Sequence, residues 1–221
     1  MRIAIAGGHG RVARHLSRAL VAQGDVPVAL IRSIEQVDDV TADGAEPVVL
    51  DLERAYTPDV TEAIAGAEAV VFAAGAGPGS GAARKDSVDR AAAALLADAA
   101  TDAGIRRYVL LSAMGVDDEP PRGADPVFAA YLVAKAASER DLVERDLDWT
   151  VLRPGRLTDD PGTGAVRLDG RVPHGPVARS DVAAVLAALL GEPQTAGLVL
   201  ELTQGVVPIP AAVAAMLEPA D

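Results

Sequence analysis

Short apolar runs alternate along the chain with longer segments in which apolar residues recur every three or four positions. Arg2–Ala6 reads as a first strand. From Arg11 to about Gln23, Val12, Leu16, Leu20 and Val21 fall on one side of a helix, and Gly24 stops it. Pro27–Ile31 predicts a second strand, Ser33–Asp43 a helix, and Pro47–Leu50 a third strand running out into Asp51-Leu52. A short helix over Asp59–Ala65 precedes a fourth strand, Ala69–Ala73. A long helix then covers Lys85–Ala103 and stops at Gly104, before a fifth strand at Tyr108–Ser112. Asp117–Pro126 reads as a loop, Ala129–Asp146 as a helix, and Trp149–Leu152 as a sixth strand stopped by Arg153-Pro154-Gly155. Asp159–Gly164 is loop-forming, and Arg167–Arg171 predicts a short strand or hairpin arm. Ser180 is the expected cap of a helix to Leu190, and Leu198–Leu202 is a last strand before a short helix or tail. This alternation predicts an α/β fold: one domain over residues 1–221, with a doubly wound parallel sheet flanked by helices.

Composition narrows the partners. Half of the 221 residues are hydrophobic, enough for a sizeable core, but only 3% are aromatic. The formal net charge is −12, and no cluster of Lys and Arg offers itself to phosphodiesters, so no nucleic-acid partner is expected. With no cysteine, disulfides, thiolate metal sites and thiol nucleophiles are excluded. The first residues do not read as a signal segment. The longest apolar run, Ala91–Ala100, is broken by Asp98, so no membrane association is expected and a cytoplasmic location fits. His9, His15 and His174 lack ligand spacing, so no metal is expected, and the chain has neither a Walker A pattern nor a G-x-S-x-G elbow.

The chemistry concentrates in the first βα turn, Gly7-Gly8-His9-Gly10-Arg11-Val12-Ala13. Gly7 allows a tight turn, Gly10 a close backbone approach, and Ala13 close packing of helix on sheet. The helix N-terminus then offers free N–H groups to a pyrophosphate. A glycine turn that follows a strand and opens a helix implies a Rossmann-like dinucleotide site. At the end of the second strand an acidic residue would hold a ribose 2′-hydroxyl. The chain has Arg32 there, which suits a 2′-phosphate, with Arg11 placed to assist. NADP(H) is therefore the preferred cofactor and NAD(H) the alternative. Asp51 and Leu52 follow the third strand, suited to adenine. Ala73-Ala74-Gly75 follows the fourth, small enough for a ribose to pass.

With these segments in order, the chain resembles the atypical short-chain dehydrogenase/reductases with NmrA-like or NAD(P)H-binding domains, over almost its whole length. The glycine turn resembles their GxxGxxG, and Val49–Leu52 their adenine segment. Val109–Ser112 resembles their strand-five end, Tyr131-Leu132-Val133-Ala134-Lys135 their YxxxK, and Leu152–Thr158 their RPG segment. Arg179–Ala183 resembles their late helix start. The resemblance implies that Tyr131 is a general acid/base. It implies that Lys135, one helical turn on, holds the nicotinamide ribose and depresses the phenol pKa, and that Ser112 is a catalytic hydroxyl. It also places Gly8, His9, Val12, Pro154, Gly155 and Leu157 against the cofactor, with a small substrate-side region over about 155–180. One departure stands out: where extended members carry a Ser or Thr two residues beyond the strand-end Ser, this chain has Met114. The primary expectation is an NADP(H)-dependent oxidoreductase acting on a small carbonyl, quinone or flavin-like acceptor. A non-catalytic NADP(H) redox sensor with a regulatory protein partner is the alternative. A sugar-nucleotide epimerase-like enzyme comes third, for lack of a longer C-terminal substrate domain. Either a monomer or a homodimer fits.

Overall fold

The first strand shows how this chain builds two cores from one sheet. In β1 (Arg2–Ala6), Ile3 and Ile5 point to one face, Ala4 and Ala6 to the other, and all four are buried. A computed structural model describes residues 1–77, 80–81, 84–118 and 125–218. Against the Ile3/Ile5 face lie α1 (Arg11–Ala22), α6 (Arg179–Leu190) and α7 (Ile209–Ala215), through Val12, Leu16, Leu20, Val182, Leu186 and Val213. Against the other lie α3 (Thr57–Ala63), α4 (Ala92–Asp102) and α5 (Pro126–Val143), through Val60, Leu96 and Leu142.

The remaining strands are β2 (Val26–Ile31), β3 (Glu46–Val49), β4 (Ala69–Phe72), β5 (Arg107–Leu111), β6 (Asp148–Pro154), β7 (Arg156–Thr158), β8 (Ala165–Asp169), β9 (Pro176–Ala178), β10 (Leu198–Gln204) and β11 (Val207–Pro208). The main sheet runs β3-β2-β1-β4-β5-β6-β10 in parallel, then adds β8 and β11 antiparallel at its edge. The order reverses between β1 and β4, where open α/β sheets present their ligand crevice. Helix α2 (Val37–Ala42) follows a 3₁₀ turn at Ile34–Gln36.

Several expectations need correction. The helix at Lys85 begins as a π-helical turn, Lys85–Ala91, and only then becomes α4. The sixth strand does not stop at Leu152: it continues through Arg153 to Pro154, because β10 pairs with it as far as the Leu202–Pro154 register. Of the expected loop over Asp117–Pro126, residues 119–124 lie outside the described residues, and Pro126 opens α5, where a missing N–H costs nothing. Ser180 is not a cap: Ala178 occupies the N-cap of α6. The buried Asp181 is the residue that acts locally, accepting from the Thr163 and Gly164 N–H groups at 3.0 Å each. The two-stranded parallel sheet of β7 and β9 was not foreseen. It requires Gly155, since a Cβ there would stand 2.1 Å from the Gly175 carbonyl oxygen.

Candidate active site

At the carboxyl ends of β1 to β4 a cleft of about 570 Å3 opens, lined by Gly7, His9, Gly10, Arg32, Asp51, Leu52, Glu53 and the segment 73–77, among others. Its base is the glycine turn. Gly7 has φ +75°, and a Cβ there would lie 2.6 Å from the Ala74 Cα, so both backbone conformation and space demand glycine. Gly8 packs sideways on β2: a Cβ would meet that of Ala29 at 2.5 Å. Gly10 donates to the Gly7 carbonyl at 2.8 Å and is the N-cap of α1, with no side-chain cap. The first-turn N–H groups of Arg11, Val12 and Ala13 are therefore free of intrahelical acceptors, and with the helix dipole they favour an anion.

Cations line the rim, and most are paired. Arg54 lies 3.7 Å from Asp51, and Arg84 is 2.6 Å from Glu53, which also accepts from Ser87 at 2.7 Å. The hydrogen bond from Arg84 holds the Glu53 carboxyl below its usual value. Arg32 lines the same cleft, exposed, with no carboxylate within ion-pair distance among the described residues. Two predicted residues turn elsewhere. Arg11 reaches across to Asp159 at 2.6 Å, which also pairs with Arg179 at 2.7 Å. His9 stands 2.7 Å from Asp39 and 3.3 Å from Gln36, tying the glycine turn to the segment after β2.

A second group gathers past β5 and β6, outside the lining of this cleft. Tyr131, Lys135 and Glu139 share one face of α5 at helical spacing. Lys135, only 3% exposed, donates to the Leu111 carbonyl at 2.9 Å and the Ala74 carbonyl at 3.4 Å, and lies 3.4 Å from Asp89 Oδ1. Burial pushes its pKa down, while Asp89 opposes that shift. Tyr131 is half-buried, with Phe128 ring to ring at 6.1 Å and Lys85 Nζ 5.3 Å from its ring centre. Burial, then the Asp89 charge, pushes the phenol pKa up rather than down. The Ser112 hydroxyl donates to Glu139, whose carboxylate is gripped by Arg153 at 2.5 Å; Arg153 also holds Asp117 at 2.5 Å. Met114 is buried and donates its N–H to the Pro154 carbonyl at 3.0 Å. Gly155 immediately precedes β7 and Leu157 is its middle residue.

The structure thus brings Gly7, His9, Gly10, Arg32, Asp51, Leu52, Ala73, Ala74 and Gly75 to one cleft, Ser112, Lys135 and Pro154 to the ends of β5 and β6, and Tyr131 of α5 beside Lys85. Sequence reasoning missed Glu53, Arg84, Lys85, Asp89, Glu139 and Arg153. A signal existed for two of them: Lys85 and Asp89 sit four apart and continue the stripe that becomes the buried face of α4 at Ala92, Ala93 and Leu96. No helix among the described residues is long and apolar enough to cross a membrane.

Comparison with known proteins places these features in a lineage. The family described as NAD(P)H-binding matches residues 7–193. A Bacillus subtilis protein named as an uncharacterized sugar epimerase, YhfK, is 31% identical over 95% of this chain and 97% of its own. A solved structure from Bacillus halodurans, named for an NAD-dependent epimerase/dehydratase, is 34% identical with TM-score 0.90, covering 98% of this chain and 100% of that one. ChuY of Escherichia coli O157:H7, titled an anaerobillin reductase, is 25% identical with TM-score 0.76, covering 92% of this chain and 97% of its own.

Proposed function

Because the chain belongs to the NAD(P)H-binding family, whose members are oxidoreductase-like, we propose that its cleft takes NADP(H) in preference to NAD(H). We propose further that it reduces a small carbonyl, quinone or flavin-like acceptor. The observation that carries the reading is Arg32, a guanidinium in no ion pair among the described residues, at the rim of a cleft that begins at an uncapped helix N-terminus. The fit to a phosphorylated dinucleotide is chemical. The first-turn N–H groups of α1 would hold the pyrophosphate, Arg32 a 2′-phosphate by its planar donor fork, and Asp51 with Leu52 the adenine edge. When bound, the reduced dinucleotide supplies a hydride.

Tyr131 would supply the matching proton. Burial and the Asp89 charge keep the phenol protonated, so it would enter a reduction as the proton donor, as a weaker acid than an ordinary tyrosine. The reductase title of ChuY agrees in class, while the Bacillus relatives are named for epimerases, one of them NAD-dependent. A second reading, a redox sensor without turnover, has its own observation. Ser112 is spent on Glu139, Lys135 on Asp89 and backbone carbonyls, and Met114 fills the expected hydroxyl position.

NADPH oxidation followed with a panel of aldehydes, quinones and flavins separates the two. The reductase reading expects turnover with at least one acceptor and a loss of about a hundredfold or more in Tyr131→Phe. Tight NADPH binding with no turnover on any acceptor would replace it by the sensor, and no binding of either dinucleotide would remove both.

A further inference from the structure

Among the described residues, the turn Lys85–Ala91 departs from the other helices by being π-helical. Such turns are rare and concentrate at functional sites. This one carries two buried charges, Lys85 and Asp89, an expensive arrangement unless each is partnered. Their partners converge on one short segment. Lys85 Nζ donates to the Gly77 carbonyl at 2.9 Å. Asp89 Oδ2 accepts from the Ala76 N–H at 3.2 Å. Lys135 reaches the Ala74 carbonyl at 3.4 Å from α5. Asp89 Oδ1, fully buried and without a hydrogen bond among the described residues, lies 3.4 Å from Lys135 Nζ and 3.3 Å from where a Cβ on Gly75 would stand.

The segment so held, Ala74-Gly75-Ala76-Gly77, lines the cleft. It has no side chain with which to fix itself, and its glycines make its ordering entropically costly. The geometry points to a clamp: Lys85, Asp89 and Lys135 hold residues 74–77 in the shape that receives the dinucleotide, and Asp89 is the positioning residue that both holds Ala76 and faces Lys135. Lys135 accordingly acts through this wall rather than on the Tyr131 phenol. Lys85 completes the connection, because the same ammonium that holds Gly77 rests against the Tyr131 ring. The purpose assigned to the clamp rests on the dinucleotide reading of the cleft; its mechanics do not.

Hydrogen–deuterium exchange on the whole protein without ligand tests the mechanics. The peptide spanning 74–77 should exchange about tenfold faster or more in Asp89→Asn and in Lys85→Met. It should keep the parent rate in Tyr131→Phe, which retains the ring. The NADPH Kd should rise about tenfold in the same two variants. Parent-level protection of this peptide in both variants overturns the clamp. If the parent protein binds neither NADPH nor NADH, the cofactor reading falls while the exchange result still decides the clamp. If Asp89→Asn fails to fold, the double variant Asp89→Asn/Lys135→Met removes both charges of the buried Lys135–Asp89 pair together. It should fold and exchange rapidly at 74–77, and parent-level protection there overturns the proposal.

Discussion

Arg32 and Arg11 lie at opposite ends of what a single residue type reveals in a sequence. Both are arginines near the glycine turn, but Arg11 neutralises Asp159 while Arg32 has no carboxylate partner among the described residues. A guanidinium meeting a phosphate contributes about 1.5–3 kcal/mol. Arg32→Ala should therefore weaken NADPH binding by roughly ten- to a hundredfold and leave NADH nearly unchanged, as read by parallel titrations; equal losses for both would assign Arg32 a general electrostatic role. The place of Arg32 on the cleft rim was legible because it directly follows β2, whose end at Ile31 the apolar run marks. The pairing of Arg11 was not legible, because Asp159 approaches from a loop far along the chain. The same holds for Ser112 and Lys135. Their types and spacing are visible in the sequence, but their commitment to Glu139 and Asp89 depends on how α5 and the π turn pack.

At the scale of elements, periodicity found what is long and local. β1, α1, β2, β4 and β5 lie within a residue or so of expectation, because each buries a regular stripe. The π turn escaped, since seven residues of wider winding barely disturb a helical pattern. β7, β9 and β11 escaped because strands of two or three residues carry no period, and the β7–β9 pairing is fixed by the close passage of Gly155 and Gly175. Between elements, the buried Arg107 joins four pieces. Its guanidinium donates to the Asp148 and Leu189 carbonyls at 2.9 and 2.7 Å and to the Thr150 and Thr195 hydroxyls at 2.8 and 2.9 Å. Arg107→Met would strip these acceptors of their donor. We expect a loss on the order of 3 kcal/mol, or roughly 6–12 °C in Tm. A melt within about 2 °C of the parent would show that the four pieces hold without it.

For the molecule as a whole, the alternation of strands and helices implied a doubly wound parallel sheet, and the antiparallel edge of β8 and β11 lay outside that expectation. The acidic charge also acts at this scale. Asp43 is pulled below its ordinary 3.8: burial opposes the shift, but hydrogen bonds from Arg14 and Arg18 outweigh it. Glu53, bonded by Arg84, sits below its ordinary 4.5, as does Glu46 beside Arg2. A depressed folded-state pKa contributes stability that is fully present above the unfolded value and is lost as pH falls through the folded one. Tm should therefore be level from about pH 6 to 8 and decline below about pH 4.5; a melt unchanged down to about pH 3 would show that these pairs contribute nothing. The cleft wall has a consequence for descent. Residues 74–77 and the glycines of the turn line the cleft with main chain and no polar side chain. A grip made of peptide bonds cannot be lost by exchanging one functional group for another, only by adding bulk or freeing the segment. Lineages can thus redraw the rest of the surface, and with it the acceptor they serve, while inheriting the same hold on the dinucleotide.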